Sequence, residues 1–301
     1  MNSKSVPTGC LHDKDQVLSS LSTRLQELTP ELSKAAIYVL ENPNDVGVSS
    51  IREIAQAAKV KPNTLVRLAR TIGFDGYENF RAPFRDDIKR GVVNFTDRAR
   101  WLQSLGQNDM LGGLYRDMVS SAINNIEETF AGIDAAELKA AATAMLRSRQ
   151  TFALGVGVNN SNAKNFTYLA GTGMTQFHAI PRSGSTPVDD LAWADERDVL
   201  IAITCKPYRT EVVNAVRIAR EQGVQIIGIS DSPASPIIAG SEHAFVVAVD
   251  TPQFFPSSVS TIALLETLLS FAIAMANPDV VERVNTFHDR RHHLGMYEEE
   301  L

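Results

Sequence analysis

Through the first ninety residues the apolar positions carry only helical signals. Leu18, Leu21, Leu25 and Leu28 recur at helical spacing, and Pro30 opens a second segment with Leu32, Ala36, Val39 and Leu40 on one face. That segment must stop near Asn42, because Pro43 disfavours helical geometry in the residue before it. Ser50 then stands as an N-cap with Glu53 as its capping-box partner, ahead of the buried stripe Ile51, Ile54, Ala55 and Ala58. A three-residue break, Lys59-Val60-Lys61, leads to Pro62, which suits the first turn of a helix running to Ile72 and ended by Gly73. One more amphipathic helix is expected from Gly76 to Arg90, with Phe80 and Phe84 as its apolar members. Residues 91–108 hold no sustained period and read as a linker. Long helices follow at Asp109–Phe130 and Asp134–Leu146.

After residue 150 short apolar runs alternate with helical stretches. The strands expected are Thr151–Leu154, Thr175–Ala179, Val199–Thr204, Gln225–Ile229 and Ala244–Val249, with helices at Asn160–Ala170, Thr210–Gln222 and Ser258–Ala276. Fully apolar strands such as VLIAIT require helices on both faces, so a doubly wound α/β domain with a parallel sheet is predicted behind an all-α head. The expected division is a helical head over 1–92 (its two-helix reader at about 50–72), a linker and connecting helix over 93–130, and an α/β domain over 131–301.

Composition limits the function classes. With 301 residues, 44% hydrophobic and 21% charged, the chain is ordinary globular protein, which excludes wholesale disorder and a fibrous repeat. Cys10 and Cys205 are too far apart for a zinc knuckle or a disulfide framework, and a reducing cytoplasm is the expected location. The first thirty residues lack the basic-then-apolar block of a secretory signal. The apolar run Val259–Ala276 carries Glu266 at its middle and reads as a buried helix, so no membrane partner is expected. Net charge is −6, yet residues 47–90 hold 9 Lys and Arg against 5 Asp and Glu. An acidic body with a locally basic head points to a polyanion partner at one end.

Two short helices joined by a tight turn, the second opening with small polar residues, meet the requirements of a helix-turn-helix. Asn63 and Thr64 would face base edges of double-stranded operator DNA, where Asn pairs with adenine and the Thr methyl touches thymine. Arg67 could reach guanine or phosphate, while Arg52, Lys59, Lys61 and Arg70 suit phosphates. The alternative is a plain helical bundle with a solvated basic face.

The sequence words narrow this choice. Leu28-Thr29-Pro30, Glu41-Asn42-Pro43, Ser50-Ile51-Arg52-Glu53-Ile54-Ala55, the Val-Arg-Leu-Ala-Arg run of 66–70 and Gly73-Phe74-Asp75-Gly76-Tyr77 resemble, in that order, the N-terminal domain of the RpiR (MurR/RpiR) family of bacterial transcriptional regulators. Residues 134–277 resemble the sugar isomerase, or SIS, domain carried by that family. The resemblance implies a regulator whose SIS domain senses a small molecule, commonly a phosphosugar, and adjusts operator binding. No catalytic residue, metal or cofactor is implied.

A doubly wound sheet binds ligands beyond the carboxyl ends of its strands. The first loop there runs Gly155-Val156-Gly157-Val158-Asn159-Asn160-Ser161, in which Gly155 and Gly157 permit close backbone approach and Asn159, Asn160 and Ser161 offer hydrogen bonds. The second, Cys205-Lys206-Pro207-Tyr208-Arg209-Thr210-Glu211, stands where SIS domains resemble Ser-x-Ser-Gly-x-Thr, and it departs from that pattern. Cys205 poorly replaces a serine hydroxyl and Pro207 has no N–H. Lys206, Arg209 and Thr210 could offset the loss, so an anionic sugar-type effector held mainly by cations is expected. Ser183, after the second strand, is a further candidate.

Some residues suggest other chemistry. His288 and His292 lie four apart on an expected helix, but no third ligand completes a metal set. The acidic tail Glu298-Glu299-Glu300 reads as solvated. The competing function is a sugar-phosphate isomerase with a helical extension, for which Glu211, Glu266 and His243 are the candidate acid–base groups. One head reads few base pairs, so a regulator of this kind should act as a homodimer or higher homo-oligomer on a palindrome or repeat.

Overall fold

The computed structural model describes residues 13–89, 95–107 and 110–297. Cys10, the acidic tail, Arg90 and the expected linker residues 91–94 and 108 lie outside them. The chain divides into two compact units, residues 1–121 with 250–256, and residues 122–249 with 257–301.

The first unit is helical, with α1 (Lys14–Arg24), α2 (Pro30–Glu41), α3 (Pro43–Val48), α4 (Ile51–Ala57), α5 (Pro62–Thr71), α6 (Tyr77–Lys89) and α7 (Phe95–Gln107). α8 (Leu111–Ala131) begins in this unit and ends in the other. The core gathers Leu21, Val39, Ile54, Leu65, Leu68, Phe80 and Phe84, every one essentially inaccessible. Phe74, Phe80 and Phe84 form a ring chain, with centroids 5.6 and 5.3 Å apart. These aromatics hold α6 against the end of α5.

Two expectations are corrected here. α2 does end at Pro43, but the same proline then serves as the first residue of α3, where its missing N–H costs nothing. The stretch read as a linker contains α7. Trp101 and Leu105 of α7 are buried with Val48, and Phe95 stacks on Phe255 at 4.8 Å between centroids. The Arg98 guanidinium is buried and donates to the Gln253 carbonyl at 3.3 Å. α7 therefore draws part of its packing from residues some 155 positions away, which a local period cannot reveal.

The second unit continues with α9 (Ala135–Arg147), β1 (Thr151–Gly155), α10 (Val158–Gly171), β2 (Phe177–Ile180), α11 (Pro187–Asp190), β3 (Val199–Ile203), α12 (Thr210–Glu221), β4 (Gln225–Ser230), β5 (His243–Val246), α13 (Val259–Met275) and α14 (Pro278–His293). All strands are parallel, in the order β2-β1-β3-β4-β5. β3 is buried at every position because it feeds two cores. Val199, Ile201 and Ile203 face α9, α10 and α13, while Leu200 and Ala202 face α12. The apolar run of α13 is a core helix of this layer, and among the described residues no single helix is long and apolar enough to cross a membrane.

Asp198 ties the entrance of β3 together. Its fully buried carboxylate accepts from Arg149 Nε at 3.0 Å, from a second Arg149 nitrogen, and from the backbone N–H groups of Gln150 at 3.1 Å and Asp195 at 3.0 Å. Asp198→Ala leaves all of these donors without their acceptor. The substitution should lower unfolding free energy by about 2–4 kcal/mol, read as a reduced urea midpoint at unchanged slope.

Candidate functional site

Reciprocal bonds start α4. Ser50 N–H donates to Glu53 Oε2 at 2.6 Å and Glu53 N–H donates to Ser50 Oγ at 3.3 Å, the capping box that the spacing predicted. The helix closes with Val60 N–H on the Ala55 carbonyl (2.9 Å) and Lys59 N–H on the Gln56 carbonyl (3.1 Å). This closure is a Schellman turn, whose pivot needs a left-handed conformation. α5 ends the same way, with Phe74 N–H on Ala69 (3.0 Å), Gly73 N–H on Arg70 (3.1 Å), and the pivot Gly73 at φ +104°. At the end of α4 the pivot is Lys59, at φ 55°, the sole non-glycine residue with positive φ among the described residues.

α5 carries Leu65, Leu68 and Ala69 inward and has no acidic residue. Asn63, Arg67 and Arg70, at helical spacing, are exposed on the other side, and Arg52, Lys59 and Lys61 are exposed around the turn. None of these five cations forms an ion pair among the described residues. Thr64 is placed differently from the exposed position expected of it: it lies four residues before Leu68, on the inward stripe, and is only 9% exposed.

In the second unit, β1 and β3 are neighbours and Gly155 pairs with Ile203, so the two loops expected to hold a ligand leave the sheet side by side. α10 starts at Val158, two residues earlier than its sequence suggested, and places Asn159, Asn160 and Ser161 in its first turn. A Cβ on Gly155 would lie 2.0 Å from the Asn159 carbonyl oxygen, so only glycine lets the helix fold back over the strand end. Gly157, at φ +65°, completes that turn. Asn160 Nδ2 donates to the Gly155 carbonyl at 3.1 Å and Asn162 Nδ2 donates to Asn159 Oδ1 at 3.1 Å, while Ser161 is exposed.

The loop after β3 holds Cys205, Lys206, Arg209 and Thr210. Burial, with the nearby Asp231 carboxylate, pushes the Cys205 thiol up to about 12, so it stays protonated and serves as neither nucleophile nor anion. The Lys206 and Arg209 side chains are exposed. Arg209 Nη2 donates to Glu211 Oε1 at 2.7 Å, and this guanidinium, with the Glu211 backbone N–H, lowers the Glu211 carboxyl pKa. Ser183 sits exposed at the tip of the loop after β2, where the buried Asp190 accepts from Arg182 N–H (2.7 Å), Arg182 Nε (2.7 Å) and Ser185 Oγ (2.9 Å).

Sequence reading missed Thr204, Ser230 and Asp231. Ser230 Oγ donates to the Thr204 carbonyl at 2.6 Å, Thr204 Oγ1 accepts Arg209 N–H at 3.2 Å, and Asp231 accepts Lys206 N–H at 3.2 Å. Their signal was position, since Ser230 and Asp231 stand at the carboxyl end of β4, beside β3. The isomerase candidates do not converge. Glu211 is beyond the carboxyl end of β3, His243 begins β5 at the opposite edge, and Glu266 is exposed on α13. His288 meets the Tyr297 hydroxyl at 3.3 Å and His292 packs on the same ring, and no metal-binding cluster occurs among the described residues.

Residues 15–91 match the family described as "Helix-turn-helix domain, rpiR family", and residues 144–273 match the SIS domain. A helix-turn-helix-type transcriptional regulator of Haemophilus influenzae is 26% identical over 235 residues, 76% of this chain and 79% of that protein. HexR, a helix-turn-helix-type transcriptional regulator of Pseudomonas aeruginosa, is 23% identical over 262 residues, 84% of this chain and 87% of that one. Among solved structures, Vibrio vulnificus NanR complexed with ManNAc-6P aligns with a TM-score of 0.54 at 19% identity, covering 92% of this chain and 98% of that one. The sugar isomerase domain of an RpiR transcription factor from Sphaerobacter thermophilus aligns with a TM-score of 0.55 at 24% identity, covering 59% and 98%. The chain thus carries an rpiR-family helix-turn-helix domain followed by a SIS domain, and over most of its length it is similar to helix-turn-helix-type transcriptional regulators.

Proposed function

We propose that this transcriptional regulator grips operator DNA with α5 in the major groove and responds to a small anionic sugar-type metabolite held by the loops after β1 and β3. The observation that carries the DNA reading is the ridge of Asn63, Arg67 and Arg70, exposed on a helix with no acidic residue. Asn63 and Arg67 read base edges, while Arg52, Lys59, Lys61 and Arg70 hold phosphates. Two copies of the chain place two such helices on one palindromic or repeated site. The effector controls affinity by favouring one arrangement of the two reading helices over another.

The Schellman turns support the role of Lys59. A left-handed pivot costs a residue with a Cβ about 1–2 kcal/mol, and the equivalent turn after α5 avoids that cost with Gly73. A lysine in the strained position supplies a charge that glycine cannot.

For the effector, the support is the pair of glycine-permitted and cation-bearing loops side by side at the point where strand order reverses. The complex of NanR with ManNAc-6P, on a related fold, supports a phosphosugar.

Three outcomes are expected. The Asn63→Ala, Arg67→Ala, Arg70→Ala triple variant should keep its helical circular dichroism yet bind a fragment recovered by genomic footprinting at least about 100-fold more weakly, with a shallower salt dependence. Unchanged affinity overturns the DNA reading. Lys59→Gly should raise unfolding free energy by about 1 kcal/mol in urea titration and weaken the same DNA complex in a band shift. Calorimetry with a panel of sugar phosphates should find a ligand whose binding falls by about tenfold or more in Lys206→Ala and in Arg209→Ala, and binding indifferent to both contradicts the cation-held site.

A further inference from the structure

Glu211 stands among the cations that hold the anion in the ligand reading above, on which this inference rests. In the loop after β3, the Arg209 guanidinium and the backbone N–H groups of Lys206 and Arg209 are already engaged by groups of the chain itself. Glu211 grips the Arg209 guanidinium at two points, Nη2 to Oε1 at 2.7 Å and Nε to Oε2 at 3.3 Å. Its carboxylate stands at the amino end of α12, where the preceding Arg209 supplies no side-chain cap. Beside it, Lys206 N–H points at Asp231 and Arg209 N–H at Thr204 Oγ1, each at 3.2 Å.

A carboxylate on a guanidinium fork at the start of a helix takes the place that a phosphate or sugar carboxylate would need. We infer that Glu211 is an intramolecular stand-in for the anionic group of the effector, and that the effector binds by displacing it from Arg209. Exchange is easy on two grounds. The two side chains are 51% and 46% exposed, a setting in which an ion pair is held weakly. They are also two residues apart, so releasing one from the other moves no secondary structure. Glu211 thereby keeps affinity below what Arg209 alone would give, and it filters ligands. A phosphate dianion outcompetes a carboxylate monoanion for the guanidinium, and a neutral sugar does not.

The test is calorimetry on the full chain and on its E211Q and E221Q variants, using inorganic phosphate, a set of hexose 6-phosphates and the matching unphosphorylated hexoses. Glu221 is the control, since it pairs with Arg217 at 2.7 Å further along the same helix and its loss removes the same charge. E211Q should bind the phosphosugar preferred by the parent about three- to tenfold more tightly, with E221Q matching the parent. Equal or weaker binding by E211Q, or tightening by E221Q as large as that by E211Q, overturns the inference and leaves the ligand site standing. A panel in which no chain binds any phosphosugar overturns the ligand reading, and the inference with it.

Discussion

The path of the chain out of β1 constrains the loops beyond the sheet through one close backbone contact. With the Asn159 carbonyl oxygen 2.0 Å from where a Cβ on Gly155 would stand, any side chain there would force the amino end of α10 off the strand. Because α10 stays down, its first turn lies beside the loop that leaves β3, the neighbour of β1 at the reversal of strand order. Two layers of buried side chains then fix β3 from both faces, so the loop beyond it is presented by a rigid strand. Asp198 secures the other end of that strand and never approaches the ligand loops.

In the helical unit, the corresponding constraint is the closing turn between α4 and α5. The two Schellman turns are alike in hydrogen bonding and differ in the residue at the pivot. Val60 follows the pivot and packs into the core shared by Ile54, Leu65 and Phe80. The orientation of α5 within the helical unit is thus set by burial, while the charge around it is left exposed.

Much of this was legible in the sequence because the signals were local. The capping box at Ser50 and Glu53, Pro62 at the first turn and Gly73 after the last are each decided within a few residues. The alternation of apolar runs with amphipathic helices gave the doubly wound domain for the same reason. α3 was hidden because Pro43 ends one helix and starts another, and a single residue type carries both meanings. α7 was hidden because its partners, Gln253 and Phe255, come from a remote segment. At the site, types and loops could be read but bonds could not. The sequence placed Thr64 on the reading face, one position off the stripe that buries it, and it left Asp231 unnoticed because its partner is the backbone of Lys206.

The loop after β3 pairs the Lys206 and Arg209 backbone N–H groups and the Arg209 guanidinium with Asp231, Thr204 and Glu211, and these bonds bear on its stability. A cradle of bare amides would be penalised whenever it stood empty, and its stability would then rise and fall with metabolite supply. Here the bonds come from the chain itself, so the fold of the loop beyond β3 does not hang on the supply of any small molecule.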